Sequence, residues 1–314
     1  WERGYGNWTP FLPEEFEKRR GYSLDPWLPA LTGRMVESSE ASERFLWDFR
    51  RTLGDLLADN YYGSLQQYAR DNHLGVYAEA TGHFLPGLAD QLQCKGRIDV
   101  PMGEFWSGRR DVDDAKEAAS AAHIYGKRLA AAESFTARTD SASWTRDPFM
   151  LKGEGDLRFC MGINRLCFHR FAHQPWSDRR PGMTMGKWGT ELERTNTWWE
   201  MAGPWVKYLT RCQYLLQRGT FVADVCYFYG EDVPMDFRFA RLKPALPDGF
   251  DFDVCNAEVL VNRMTVKNGR ITLPDGPSYR LLVLPDNDRM TLSALRAVQK
   301  LVSAGATVVG PKPT

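Results

Sequence analysis

The chain lacks an excess of charge of either sign: 40 basic residues balance 40 acidic ones, and the formal net charge is zero. A surface without basic surplus does not gather a polyanion, so nucleic acid is not an expected partner. No apolar run reaches the roughly 18 residues that a membrane-spanning helix needs. The cysteines (Cys94, Cys160, Cys167, Cys212, Cys226, Cys255) fall without CxxC spacing. Several lie in apolar segments where a thiol behaves as a small hydrophobe, so neither a zinc site nor a disulfide framework is expected. Serine catalysis has no GxSxG to stand on, and Ser134 has no evident base. Gly4 and Gly6 lack the third glycine of a dinucleotide loop. The chain also opens without a methionine, at "WERGYGNWTP". A truncated start is therefore expected, and the lack of a signal peptide carries no information.

What is plentiful is aromatic surface. Eleven Trp, 12 Tyr and 17 Phe make up 13% of the 314 residues, and several Trp stand beside Gly, Pro or charged residues. Flat apolar faces next to polar groups suit sugar rings, which have CH-rich faces and OH-rich rims; packing of a large core is the competing reading. With 43% hydrophobic and 25% charged residues, the composition is that of an ordinary globular protein with a sizeable core. The length suits two domains, or one α/β barrel of about 250 residues.

From Trp1 to about Gln217, short strand-like runs alternate with amphipathic helices, the pattern of a parallel α/β fold. A helix follows "VESSEASERFLWDF", capped by Ser39 or Ser42, with Phe45, Phe49, Leu53, Leu56, Leu57 and Tyr68 at helical spacing. Strands are predicted at "GVYAEA", "IDVPMGEFW", "RLAAAESF" and "NRLCFHRFAH". Helices are predicted at "DVDDAKEAASAAHIYG", started by Asp113 or Asp114, and at "FMLKGEGDLRFCMGI". A loop from Gln174 to Arg194 leads into "TWWEMAGPWVKYLTRCQYLLQ", where Gly203-Pro204 predicts a kink. From Gly219 the layout changes. "TFVADVCYFYG", "SYRLLVLP" and "ATVVGP" read as strands, and "TLSALRAVQKLVSAG" as a helix started by Thr291 or Ser293. This is a doubly wound unit. The expected division is thus 1–218 and 219–314.

A carboxylate ends nearly every strand of the first region. Glu2 precedes the "RGYGNW" loop, Glu79 ends "VYAEA", Glu104 lies in "VPMGEFW" and Glu133 in "AAAESF"; the last strand ends with His169 and His173 around Arg170. Barrel enzymes place catalytic groups at the carboxyl ends of their strands. Acids behind apolar runs are costly unless paired, protonated or metal-bound. Each alone could be a capping or salt-bridging carboxylate; as a set they point to an active site. Several acids, aromatic walls and no cysteine nucleophile suit glycoside hydrolysis, or else metal-assisted chemistry on a divalent ion.

The stretches "FEKRRGYSLDPWLPALTGRMVESSEASERFLWDFRRT", "DVPMGEFW", "EAASAAHIYGK", "AAAESFT", "FHRFAHQPW", "PGMTMGKWG", "RTNTWW" and "FDFDVCNAEVL" resemble the α-L-rhamnosidases of glycoside hydrolase family 106 over nearly the whole chain. The resemblance implies a (β/α)₈ TIM barrel, here its strands 4–8, followed by the start of an amidotransferase-like α/β domain. It implies an inverting exo-acting enzyme that releases terminal L-rhamnose from plant or microbial glycans, with calcium as cofactor and a secreted or periplasmic bacterial setting. By position the catalytic pair is Glu2, as general acid, and Glu133, as general base; the two roles could be exchanged. Glu79, Glu104, His169 and His173 are candidates for holding sugar hydroxyls, and Glu79 and Glu104 for holding Ca²⁺. Trp106, Trp144 and Trp176 are candidates for stacking on sugar, with packing as the alternative for each. The second domain, whose Cys226 and Cys255 have no histidine within 219–314, reads as structural. A retaining galactosidase-like hydrolase and a non-catalytic carbohydrate-binding piece are the competing functions. The chain by itself is expected to be inactive or poorly folded, because half a barrel leaves an open sheet edge.

Overall fold

Among the described residues, apolar side chains near the N-terminus build a helical layer that precedes the first strand in the chain. The computed structural model describes residues 8–81, 88–138, 144–235 and 237–312. Helix α1 (Leu12–Arg20) packs on α2 (Ser39–Leu56) through Leu12, Phe16, Phe45 and Phe49. Ser38 caps α2, accepting the Ala41 N–H at 3.0 Å, in place of the expected Ser39 or Ser42. Ser42 turns inward instead and bonds both backbone groups of Val36. A π-helical turn over Leu57–Gly63 joins α2 to α3 (Ser64–Asp71). Such a turn widens the coil and rotates everything after it. Tyr68, expected to continue the apolar stripe, is consequently 71% exposed.

The first sheet holds four parallel strands in chain order: β1 (Tyr77–Ala78), β2 (Val100–Trp106), β3 (Ala131–Thr136) and β4 (Arg165–Phe168). Helices connect them: α4 (Gln91–Gly96), α5 (Asp113–Ile124) and α6 (Pro148–Cys160). The N-cap of α5 is Val112, with Asp113 and Asp114 in its first turn; Asp114 is instead drawn under the sheet, as described below. Asp147 caps α6 through the Met150 N–H. Helix α7 (Gly203–Leu216) starts at Gly203-Pro204 rather than bending there. A proline in the first turn loses no hydrogen bond and pre-sets the helical φ, so it opens a helix where an interior proline would kink one.

The second sheet has four parallel strands in the order β11-β10-β5-β6: Thr307–Val309, Leu281–Val283, Val225–Phe228 and Phe252–Cys255. This bears out an α/β unit with a parallel sheet, β6 being added to the three expected strands. Between β6 and β10 lies helix α8 (Ala257–Asn262), then an antiparallel meander of β7 (Thr265–Lys267), β8 (Arg270–Thr272) and β9 (Ser278–Tyr279), which the sequence pattern did not disclose. Helix α9 (Leu292–Ser303) is capped by Thr291, one of the two residues proposed for it. Cys226 and Cys255 are wholly buried on neighbouring strands, and burial pushes the Cys226 thiol up. That fits a packing role.

Helix α5 is shared by both sheets. Its alanines split between two cores: Ala115, Ala118, Ala119 and Ala122 pack with the first sheet, Ala121 and Ile124 with the second. A helix buried all round needs small or apolar side chains on every face, and alanine supplies them. Three of its polar residues, Lys116, Ser120 and His123, are answered from β6 and the residue before it. Lys116 Nζ lies 2.8 Å from Asp251, while Ser120 Oγ and His123 Nδ1 each lie 2.9 Å from Asp253 Oδ1. Tyr279 donates to the other oxygen of Asp253 at 3.0 Å. Burial alone would raise the Asp253 carboxyl, but His123, Lys116 and Ser120 hold it below its ordinary range.

Gly103 sets how near α5 comes to β2. A Cβ there would stand 2.5 Å from the Asp114 carbonyl oxygen and 3.1 Å from the Ala115 nitrogen, contacts that only a backbone shift relieves. Gly103→Ala is therefore expected to destabilise the protein by about 1–3 kcal/mol, the usual range for overpacking. Denaturant unfolding measures it; an unchanged midpoint would mean that α5 is free to recede.

Candidate active site

Register decides which acids meet. Glu104 of β2 and Glu133 of β3 are directly paired across the parallel ladder, and Glu79 follows β1. One carboxylate oxygen from each of Glu79, Glu104 and Glu133 lies within 4.8 Å of the others, all three residues being half-buried. A bulge then re-aims the end of β3. After the Glu104–Glu133 pair, Trp106 is opposite Thr136, so β3 advances three residues while β2 advances two. The extra residue is accommodated by Phe135, which is fully buried with φ +65°, a conformation that costs a non-glycine residue roughly 1–3 kcal/mol. Its ring packs edge-on against Phe105 and Phe168. Because strand side chains alternate, Thr136 would otherwise face away from Glu133; the inserted residue puts both on one face. The Thr136 hydroxyl accordingly donates to Glu133 Oε1. His169, just beyond β4, places Nδ1 3.2 Å from Thr136 Oγ1 and 3.5 Å from Glu133 Oε1.

Crowding three acids has an electrostatic consequence. Burial, reinforced by the charges of Glu104, Asp114 and Glu133, pushes the Glu79 carboxyl up to about 8. Burial likewise raises Glu104 to about 7, with Asp114 and Glu133 adding to it and the Trp106 indole opposing. At neutral pH the cluster thus retains protons, as like charges in a dry site require. Beneath it runs a buried polar support. Asp114 Oδ2 accepts the Glu104 backbone N–H at 2.7 Å, and Asp114 Oδ1 lies 3.7 Å from Lys95 Nζ. Lys95, itself fully buried, donates to Glu117 at 2.7 Å. Burial disfavours its charge, yet Glu117 and Asp114 outweigh burial and hold the ammonium protonated.

Among the sequence-derived candidates, the structure brings together Glu79, Glu104, Glu133, Trp106 and His169. Trp106 Nε1 donates to Glu104 Oε1 at 3.1 Å. Trp144, His173 and Trp176 make no hydrogen bond or ion pair to the three carboxylates among the described residues. The Trp144 backbone N–H bonds Glu191 instead. His173 is exposed, and Trp176, 54% exposed, lines a shallow hollow with Gln174, Arg179, Gly182 and Met183. Glu2 lies outside the described residues. Residues absent from the sequence reading but present here are Lys95, Asp114, Thr136 and Trp188, whose ring meets Trp106 edge-on at 5.5 Å. The sequence pattern marks Asp114 only as a candidate start for α5, and it marks none of the others.

Comparison with known proteins gives the chain's relatives. The family model of glycoside hydrolase family 106, described as alpha-L-rhamnosidase, matches residues 1–314. A curated protein of Formosa agariphila, provisionally named a β-glucuronidase, is 41% identical over all of this chain and 26% of its own length. A solved rhamnosidase from Novosphingobium sp. PP1Y superposes with a TM-score of 0.90 at 40% identity, over 98% of this chain and 30% of the other. A β-galactosidase from the psychrophilic Marinomonas ef1 shares the fold at a TM-score of 0.54 and 12% identity, over 95% of this chain and 51% of that one. The chain therefore spans between a quarter and a third of the length of its two nearer relatives named here.

The raised carboxyls link stability to pH. Glu79 holds its proton to about 8 when folded against an ordinary 4.5, so the folded state binds the extra proton between those values. Stability is then present below the lower value and lost as pH rises towards about 8. The melting temperature is expected to fall across that window. Asp114→Asn keeps an acceptor for the Glu104 N–H, removes one repelling charge and flattens the fall. A melting curve equally steep in wild type and variant would show Asp114 to be uncoupled from the cluster.

Proposed function

The chain belongs to glycoside hydrolase family 106, and we propose that within the whole enzyme it supplies the acid-bearing half of the active site of an inverting exo-α-L-rhamnosidase. The observation that carries this reading is the convergence of Glu79, Glu104 and Glu133 at the edge of a parallel sheet. In the same reading β1 to β4 are barrel strands five to eight of residues 1–218, and residues 219–314 begin an amidotransferase-like domain. Their strictly sequential parallel order supports the first part, and the second four-stranded parallel sheet supports the other.

An inverting pair of carboxyls stands roughly 6.5–9.5 Å apart to admit a water molecule, whereas a retaining pair stands about 5–5.5 Å apart. Oxygens within 4.8 Å of one another leave no such room, so none of the three acids serves another as inverting partner. The family resemblance assigns the partner role to Glu2, which lies outside the described residues. Glu133 is the general base: its carboxylate, 27% exposed and oriented by Thr136 and His169, accepts a proton from water as that water attacks the sugar carbon. Glu2 is the general acid and protonates the departing oxygen. His169 and Trp106 bound the space in which the sugar ring sits.

Glu79 and Glu104 are left with a second task. Their donor set fits a hard cation, since three carboxylates converge within coordinating reach and repel one another without a positive charge between them. Glu79 and Glu104, with Glu133 beside them, would hold Ca²⁺. A bound Ca²⁺ would neutralise the cluster and anchor sugar hydroxyls. His169, a nitrogen donor, is better suited to bonding a hydroxyl.

A second reading concerns the sugar alone: the relative named as a β-glucuronidase raises a uronide substrate for the same acids. Paired assays of the full-length protein on aryl α-L-rhamnoside and aryl β-glucuronide separate the two. Release of L-rhamnose, formed first as the β anomer by NMR, is the expected result. Glu133→Gln is expected to lower that rate by about 10²- to 10⁴-fold, the usual contribution of a general base; full activity in the variant would remove Glu133 from the mechanism. For the cation, Ca²⁺ is expected to raise the melting temperature more at pH 8 than at pH 5, where protons compete for the acids. An equal effect at both, or none, would count against these ligands.

A further inference from the structure

The bulge that turns Thr136 towards Glu133 is held from outside the sheet. Ser134 is the last residue of β3 paired with β4, and its carbonyl accepts the His169 N–H at 3.0 Å. The next carbonyl belongs to Phe135, the residue with φ +65°. It accepts the hydroxyl of Thr190, a residue from the long loop after β4, at 2.6 Å. Thr190 is 1% exposed, so water does not compete for that bond. The backbone of Thr190 meanwhile bonds the end of β4. Its N–H donates to the His169 carbonyl and its carbonyl accepts the Arg170 N–H, each at 3.0 Å. One residue thus pins both neighbours of the Glu133 carboxylate: Thr136 by way of Phe135, and His169 by way of its own peptide.

Thr190 is itself firmly placed. The Gly189 N–H donates to the Ala137 carbonyl at 2.7 Å, and the Leu192 N–H to the Arg170 carbonyl at 3.2 Å. Arg170, buried beneath the loop, donates from Nε to the Trp188 carbonyl at 3.3 Å. Gly189 has φ +95°, and a Cβ there would come within 2.3 Å of Arg170 Cγ. Glycine lets the loop lie this close to the sheet.

We infer that Thr190 is a positioning residue for the general base: its hydroxyl holds the Phe135 bulge and, through it, the hydrogen bond from Thr136 to Glu133. This rests on the hydrolase reading above. A positive φ at a non-glycine residue persists only where its surroundings over-determine it. Without the Thr190 hydroxyl, the buried Phe135 carbonyl loses its donor. Relaxation of Phe135 towards extended backbone then returns Thr136 to the face opposite Glu133, because strand side chains alternate. Glu133 keeps its place in the ladder but loses the donor that orients its carboxylate. An error of orientation at a reacting group costs rate more than binding. A threonine that only filled space would be replaceable by valine, which keeps the branched shape and lacks the hydroxyl.

The test compares Thr190→Val and Thr190→Ser in the full-length protein on an aryl α-L-rhamnoside. Thr190→Val is expected to lower kcat about 10- to 100-fold, the scale of a small misplacement at a reacting group, with KM within about twofold of wild type. Thr190→Ser keeps the hydroxyl, loses the methyl, and is expected to retain most of the kcat. In the Glu133→Gln background there is no general base to orient, so Thr190→Val is expected to cost nothing further. A wild-type kcat in Thr190→Val, an equal loss in Thr190→Ser, or the same loss with and without Glu133 overturns the positioning role. Thr190→Ala removes the hydroxyl without filling its place and serves the same comparisons where Thr190→Val folds poorly. A crystal structure of either hydroxyl-less variant decides without turnover: the Thr136 hydroxyl is expected to be withdrawn from Glu133, and an unmoved Thr136 overturns the inference. A wild type that cleaves no rhamnoside overturns the proposed activity instead, and the crystal structure still shows whether Thr190 holds the bulge.

Discussion

Everything at this site follows from the close approach of three carboxylates at one edge of a parallel sheet. Direct pairing of Glu104 with Glu133 sets the two residues side by side through backbone hydrogen bonding, so their carboxyl groups start from neighbouring positions. Like charges at such range cannot all ionise in a half-dry site. The protein keeps protons on Glu79 and Glu104 near neutrality, a state that a cation or a hydroxyl-bearing ligand would relieve. The same crowding that disfavours the empty site is therefore what gives it affinity.

The support of that cluster reaches across the molecule. Asp114 tethers the Glu104 backbone from the first turn of α5, and Lys95 tethers Asp114 and Glu117. Two and three turns further along, the same helix presents Ser120 and His123 to Asp253 of the second sheet. One rigid, alanine-rich helix thus links the acid cluster to the second core, and its closeness to β2 depends on the missing side chain of Gly103. Buried polar links of this kind are costly to break singly, because each removal strands a partner without water. The second sheet is then a buttress for the acid site as well as a fold in its own right.

Some of this was legible beforehand and some was not, for identifiable reasons. Acids placed behind apolar runs marked Glu79, Glu104 and Glu133, since burial of a carboxylate is too costly to occur by chance three times in register. The Gly/Pro punctuation and apolar runs marked most helices and strands. Strand β6 was passed over because "FDFDVC" contains acids that read as surface, whereas Asp253 is 1% exposed and held by His123, Ser120 and Tyr279. Trp188 sits in a loop without periodicity, so only its contact with Trp106 reveals it. Tyr68 was misplaced by a π-helical turn that no residue type announces.

The sequence by itself determined the chemistry on offer: glutamates at strand ends, a histidine after the last of them, aromatic residues nearby, and a family resemblance spanning the chain. These are properties of residue type and spacing, which local physics reads directly. Only the tertiary structure decided which groups act on which. The bulge at Phe135 turns Thr136 towards Glu133, the ladder sets Glu104 beside it, and Lys95 and Asp114 arrive from helices distant in the chain. Distances and burial set charge states, and both are consequences of packing between segments that no local pattern joins.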